Sequence, residues 1–261
     1  MKKYQFIVCV KLSLFFVVQF SMSNALGETL STMKTTVSGV KISNMHKVFQ
    51  GTPSSAQMGE IYRGVAPKKQ SDFADLKKLG ISHVVVFKNF QKSAELESER
   101  ESLIKIGIKD ENILHIPMVW KDLPSFKEGC EQTLDAIEFI KKNSSDPKQK
   151  LYFHCTVGED RTGLLAGVLR QLLDKWQMDK SYKEEMCARG YGDGNPNKPS
   201  HVANSVHDAL TPLFWKLSFK IEKGYLSWDN LDRRQCEIDP EVSDNYKNFI
   251  QTKPLKKTCK N

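Results

Sequence analysis

Three apolar residues, Leu151-Tyr152-Phe153, run straight into His154-Cys155-Thr156-Val157-Gly158-Glu159-Asp160-Arg161-Thr162-Gly163. From Leu164 to Trp176 the chain is then apolar around most of a helical turn. A short apolar run, a glycine-bearing turn and a helix with little polar face read as buried strand, tight loop and core helix. Such a helix is stable only when a sheet and further elements cover it, so this segment alone points to a layered α/β architecture.

The rest of the sequence supplies those layers. Ile61-Tyr62-Arg63-Gly64 reads as a short strand ending in a turn. Ser71 opens a helix with Phe73, Leu76 and Leu79 on one face, closed by Gly80. Val84-Val85-Val86-Phe87 is the continuous apolar run of a strand buried on both faces. A charged helix is expected over 93–106, a strand over 113–118 and an amphipathic helix over 126–142. Helices over 181–189 and from Ser200 through Phe214, perturbed at Pro212, follow. The expectation is an α/β fold with a mostly parallel central sheet flanked by helices. Residues 1–25 have the lysines, apolar run and Ser23-Asn24-Ala25 end of a signal peptide cleaved near Ala25, which implies a secreted or periplasmic protein. Residues 26–58 read as an N-terminal extension, 59–222 as the single folded domain and 223–261 as a polar basic tail.

The chemistry is concentrated in the loop. Successive backbone amides between a strand and a helix N-terminus form an anion nest, reinforced by the helix dipole. Thr156, Val157, Gly158, Glu159 and Asp160 would wrap the anion, and Arg161 would close it with paired hydrogen bonds. The same positive surroundings favour the Cys155 thiolate, a nucleophile for phosphoryl transfer. Gly158 permits the turn, Thr162 can donate its hydroxyl hydrogen to the sulfur, and His154 and Gly163 support the loop. His201 and His207 lack metal-ligand spacing, and no metal or organic cofactor is implied.

Charge and cysteine content narrow the setting. The 261 residues carry a net charge of +8, and loss of residues 1–25 removes three lysines and no acid, leaving +5. That moderate field can steer anions. No arginine-rich stripe or DNA-reading motif accompanies it, so nucleic acid is not an expected partner. No segment after the leader is apolar enough to span a membrane. Cys9 leaves with the leader, so five cysteines remain. With Cys155 kept reduced, Cys130, Cys187, Cys236 and Cys259 can form two disulfides at most. Cys236 with Cys259 is the first expected pair.

His154 to Gly163 resembles the signature of the protein tyrosine phosphatase superfamily, on its dual-specificity and cysteine-phytase side. Tyr62-Arg63-Gly64-Val65-Ala66-Pro67, Asp75 to Ile81 and Val84 to Val86 resemble the opening of that branch. The resemblance implies a cysteine-dependent phosphatase that also needs an aspartate on a loop about thirty residues before the cysteine. Asp122, 33 residues upstream of Cys155, is the candidate acid. Asp160 is its rival, because Gly-x-Asp-Arg-Thr is similar to the loop of the myotubularin lipid phosphatases. Glu159 and Asp160 lower the positive potential of the pocket, so a highly acidic substrate needs cations from elsewhere. Lys121, Lys88 and Arg63 are the candidates. The resemblance and the export signal favour inositol polyphosphates as substrates. The alternatives are a secreted dual-specificity or tyrosine phosphatase acting on phosphoproteins, and a catalytically weak anion-binding or phosphoinositide-binding module.

Overall fold

The computed structural model describes residues 37–49, 58–89, 93–121, 123, 125–252 and 258–259. The leader and Asp122 lie outside the described residues. Strands β1 (His46–Lys47), β2 (Glu60–Val65), β3 (His83–Phe87), β4 (Ile113–Ile116) and β5 (Lys150–Cys155) form one sheet in the order β1-β2-β5-β3-β4. β1 runs antiparallel to β2, and every other pairing is parallel. The mostly parallel α/β expectation holds, and β5 occupies the centre.

Parallel strands need crossover helices, and these cover both faces of the sheet. Val85 and Phe87 of β3 join one core with α3 (Phe126–Ser144), α4 (Asp160–Leu173) and α7 (Thr211–Glu222). Val84 and Val86, pointing the other way, join a second core with α1 (Gln70–Leu79) and α2 (Ala94–Lys105). The period-two alternation of a strand thus becomes a three-layer sandwich. α4 is buried at every position from Asp160 to Leu172, as its all-round apolar sequence requires. Each large aliphatic side chain buried there contributes about 1.5–3 kcal/mol.

Helix ends follow local chemistry. Ser93 accepts from the Leu96 amide at the start of α2, and Ser125 from the Glu128 amide at the start of α3. α1 begins before Ser71, because the Asp72 carboxylate turns back to accept from the Lys68 and Lys69 amides. Gly80 closes it with φ 74°. The helix expected from Ser181 is a short α5 (Met178–Ser181) continued by a π-helical turn over Tyr182–Met186. The long helix from Ser200 is α6 (Ser200–Ser205), a π-helical stretch at Val206–Leu210, then α7. That irregularity lies just before Pro212, whose ring and missing N–H cannot be fitted into a regular helix interior.

Two sequence expectations need correction. The disulfides are Cys130–Cys236 and Cys187–Cys259, leaving Cys155 free and excluding the Cys236–Cys259 pair. The first joins α3 to a 3₁₀ turn across a sequence separation of 106, a spacing for which loop-closure entropy alone gives about 4–5 kcal/mol. The regions expected as extension and tail also enter the core: Val48 and Phe49 at one end, and Leu226, Cys236, Tyr246 and Phe249 at the other. Tyr246 and Phe249 lie on α8 (Asp244–Thr252), whose apolar residues recur at three-residue spacing in an otherwise polar stretch. No described helix is long and apolar enough to cross a membrane.

Candidate active site

β5 delivers Cys155 at its carboxyl end, between β2 and β3, and α4 starts at Asp160. Crevices at the carboxyl ends of parallel strands are the usual ligand sites of open α/β sheets. Here the crevice is a pocket of about 350 Å³, lined by Cys155, Thr156, Val157, Glu159, Asp160, Arg161, Trp120, Lys198, Pro199 and Val202.

Cys155 is 1% exposed. Burial pushes its thiol up, but the Arg161 guanidinium and the Thr162 hydroxyl outweigh burial. They hold the thiol below the ordinary cysteine value, against an opposing push from Asp160. The Thr162 Oγ1 also accepts from the Cys155 amide at 2.8 Å, which leaves its own hydrogen available to the sulfur. Arg161 is nearly buried and aimed by two acceptors, Asn89 Oδ1 at 2.7 Å and the Met118 carbonyl at 3.0 Å. A guanidinium held in this way loses little further freedom on taking a phosphate.

Gly158 has φ +67°, and a Cβ there would stand 2.3 Å from the Gly64 carbonyl oxygen, so the turn admits only glycine. Its carbonyl accepts from Arg63 at 3.0 Å and from the Asn44 side-chain amide at 2.9 Å. C=O and N–H point in opposite directions across a trans peptide. With the Gly158 carbonyl turned into the protein, the Glu159 amide points away from that interior, as an anion nest requires.

Arg63, expected among the substrate-binding cations, is instead wholly buried. It donates to Gly158, to the Glu185 carbonyl at 2.5 Å and, more distantly, to the Glu185 carboxylate. It braces the loop from behind. Lys88 is likewise unavailable: it is 7% exposed and paired with Glu99 at 2.8 Å and Glu95 at 3.4 Å. Lys121 is exposed on the segment after β4. His154 supports the loop: its Nδ1 faces the Cys155 carbonyl at 3.2 Å and its Nε2 lies 2.9 Å from Glu99 Oε1. Burial works against the Glu99 carboxylate, yet His154 and Lys88 hold it below the usual range.

Asp160, the rival acid, has both oxygens occupied. Oδ1 accepts from the Gly192 amide at 2.8 Å and Oδ2 from Lys198 at 2.9 Å, so the side chain pins the 190–199 turn to the start of α4. Glu159 pairs with the same lysine at 2.7 Å.

Sequence reasoning missed Lys198, Asn89, Glu99, Asn44 and Glu185. Glu99 alone left a signal, since it shares the buried face of α2 with Leu96 and Leu103 at three- and four-residue spacing. The others come from turns or irregular helix, where no periodicity marks an inward side chain.

Alkylation of Cys155 by iodoacetate is expected to titrate with a midpoint below the value of about 8.5 for a free cysteine. Thr162→Val should move that midpoint upward. A wild-type midpoint at or above the free-thiol value would remove the case for an activated thiolate.

No curated protein sequence matches the chain. Among solved structures it resembles the core catalytic domain of the PP-IP phosphatase SIW14 from S. cerevisiae, at 21% identity over 64% of this chain and 86% of that one, with a TM-score of 0.43. It also resembles P. aeruginosa TpbA, at 21% identity over 65% and 95% of the two chains and a TM-score of 0.41. A further likeness is to a DUF442 protein of Shewanella putrefaciens, at 15% identity over 71% and 94%, with a TM-score of 0.41. A family model described as the tyrosine phosphatase family matches residues 50–179, a span that contains Cys155, Arg161 and the whole signature loop. With the free cysteine, the arginine and the turn between them arranged as phosphoryl transfer needs, the chain belongs to the tyrosine phosphatase family of cysteine-dependent phosphatases.

Proposed function

We propose that this protein hydrolyses phosphate monoesters of inositol polyphosphates through a phosphocysteine on Cys155. The observation that carries the hydrolytic reading is a free, buried cysteine whose thiol is held low by Arg161 and Thr162 at the base of an open pocket. The thiolate attacks phosphorus, the bond from phosphorus to the ester oxygen breaks, and Arg161 holds the equatorial oxygens throughout. Asp122 protonates the leaving oxygen, then takes a proton from the water that attacks phosphocysteine; phosphate departs and the thiolate is restored. Asp122 is assigned this role in preference to Asp160, whose two oxygens are already engaged.

The inositol reading rests on the resemblance of residues 62–67 to the cysteine-phytase branch and on Lys198 in the pocket lining, with the exposed Lys121 next in sequence to the lining residue Trp120. One observation favours a second reading. Trp120, Val157, Pro199 and Val202 give the pocket an apolar wall suited to an aromatic ring, as in phosphotyrosine. The test is hydrolysis of inositol hexakisphosphate against a phosphotyrosine peptide by the purified protein. Preference for the former by kcat/KM supports the first reading, and the reverse preference selects the second. Asp122→Ala should lower kcat on alkyl phosphates by about 10²–10⁴-fold and on aryl phosphates far less. If Asp160→Ala gives that pattern instead, the acid is Asp160. We also propose export from the cytoplasm, supported by the sequence of residues 1–25 and by two disulfides, which persist in oxidising compartments.

A further inference from the structure

Glu159 and Asp160 present a problem for any anionic substrate, because two carboxylates flank the nucleophile's loop. The structure answers it with one residue. Lys198 reaches across from the 190–199 turn and places its ammonium 2.7 Å from Glu159 Oε2 and 2.9 Å from Asp160 Oδ2. Among the described residues lining the pocket, Arg161 and Lys198 are the cations. Arg161 lies beside Cys155 and is committed to the transferring phosphoryl group. Lys198 lines the same pocket together with Pro199 and Val202.

Its placement is built rather than incidental. The turn that carries it is tied to α4 by the Gly192 amide on Asp160, and internally by Asn195 N–H to Gly192 O and Lys198 N–H to Asn195 O. The Cys259 amide donates to the Asp193 carbonyl at 2.8 Å, and Cys259 is itself bonded to Cys187. The Lys198 side chain lines the pocket and is 11% exposed, so its ammonium is largely stripped of water and held against two carboxylates. Burial pulls this ammonium down, and Asp160 and Glu159 more than restore it, so it stays charged. A lysine ammonium is a compact point charge on a flexible stem and can add a phosphate oxygen to its carboxylate partners without leaving them.

We propose that Lys198 is a specificity-determining residue that receives a second phosphate of the substrate, beside the one attacked by Cys155. The residue thereby favours compounds with neighbouring phosphates over simple monophosphates. This rests on the inositol polyphosphate reading above for the identity of the substrate, but its test does not depend on that substrate being turned over.

The experiment measures inositol hexakisphosphate and inorganic phosphate as competitive inhibitors of p-nitrophenyl phosphate hydrolysis, in the full disulfide-bonded chain and in Lys198→Met, Lys198→Arg and Lys198→Met/Glu159→Gln variants. A lost charge-assisted hydrogen bond is worth about ten- to a hundredfold in binding. Lys198→Met should raise the inhibition constant of inositol hexakisphosphate by about that factor more than it raises that of inorganic phosphate. Lys198→Arg should recover most of the discrimination. The double variant should recover affinity for inorganic phosphate, because the local charge is rebalanced, but not the preference for the polyphosphate. If Lys198→Met raises both constants by the same factor, the lysine merely offsets Glu159 and Asp160, and the proposal is overturned. Equal constants for wild type and Lys198→Met overturn it too. Release of phosphate from inositol hexakisphosphate by wild type is read separately: its absence would refute the substrate reading while the ratio of inhibition constants still judges Lys198.

Discussion

Glu185→Ala is expected to destabilise the fold by about 3–5 kcal/mol, because it strands buried charges without their partner. Glu185 lies 2.7 Å from Arg170 Nε, 3.0 Å from His46 Nε2 and 3.5 Å from Arg63, and all four side chains are buried. Burial would raise the carboxyl, yet His46, Arg63 and Arg170 hold it down at about 2. The effect reaches the active site, since the same Arg63 secures the Gly158 carbonyl and hence the shape of the phosphate loop. Denaturant unfolding should show the loss, and phosphatase activity should fall at temperatures where the variant remains folded. A variant of wild-type stability would mean that these charges are solvated in the native state.

The cluster also sets the acid limit of stability. A carboxyl with a depressed native value contributes stability that is complete above its unfolded value of 4.5 and is lost as pH falls towards 2. His46, pushed down to about 4 chiefly by burial, favours its neutral form, so its contribution starts to fall away below 6.5. Thermal stability should therefore decline from about pH 6.5 downward, first through His46 and then through Glu185. His46→Gln should flatten the upper part of that decline.

Cys155→Ser should abolish turnover while leaving phosphate binding in place. Replacing a thiol whose ionisation Arg161 and Thr162 favour by a hydroxyl removes the nucleophile, and loss of the nucleophile in covalent hydrolases costs on the order of 10⁶ in kcat. The contacts that aim Arg161, to Asn89 and the Met118 carbonyl, and those that hold the Gly158 turn do not involve the sulfur. Inorganic phosphate at a hundred times its dissociation constant should still stabilise Cys155→Ser by about 2.7 kcal/mol. Residual turnover within tenfold of wild type would overturn the phosphocysteine mechanism, and lost phosphate stabilisation would show that the sulfur also shapes the site.

Legibility followed periodicity and motif density. The strand of 84–87, the helix closed by Gly80 and the core helix after the signature loop each carry one dominant pattern, and the structure has all three, with α4 shifted to Asp160–Leu173 from the expected Leu164 to Trp176. Cys155 and Arg161 were readable because loop, strand and helix are contiguous. The basic residues were misread because a positive charge in sequence carries no direction. Arg63 lies on a strand buried from both sides, and Lys88 follows a buried strand directly, so both turn inward and need acids from distant elements. The disulfide guess failed for a related reason. Two cysteines in one polar stretch look like partners, but Cys236 packs on α3 and Cys259 on the 187–193 turn.

The signature loop and the apolar segments around it were therefore enough to determine the architecture and the reaction. Both are local properties: a contiguous strand, turn and helix fix where the amides and the sulfur lie. What only the tertiary structure decided is the charge of the pocket. The loop alone is acidic at Glu159 and Asp160, and its neutraliser, Lys198, arrives from a turn with no periodic signal. Arg63 and Lys88, the cations that the sequence offered, are paired with buried acids instead. Pairing of buried charges depends on distances between elements far apart in the chain, and no local pattern encodes those distances.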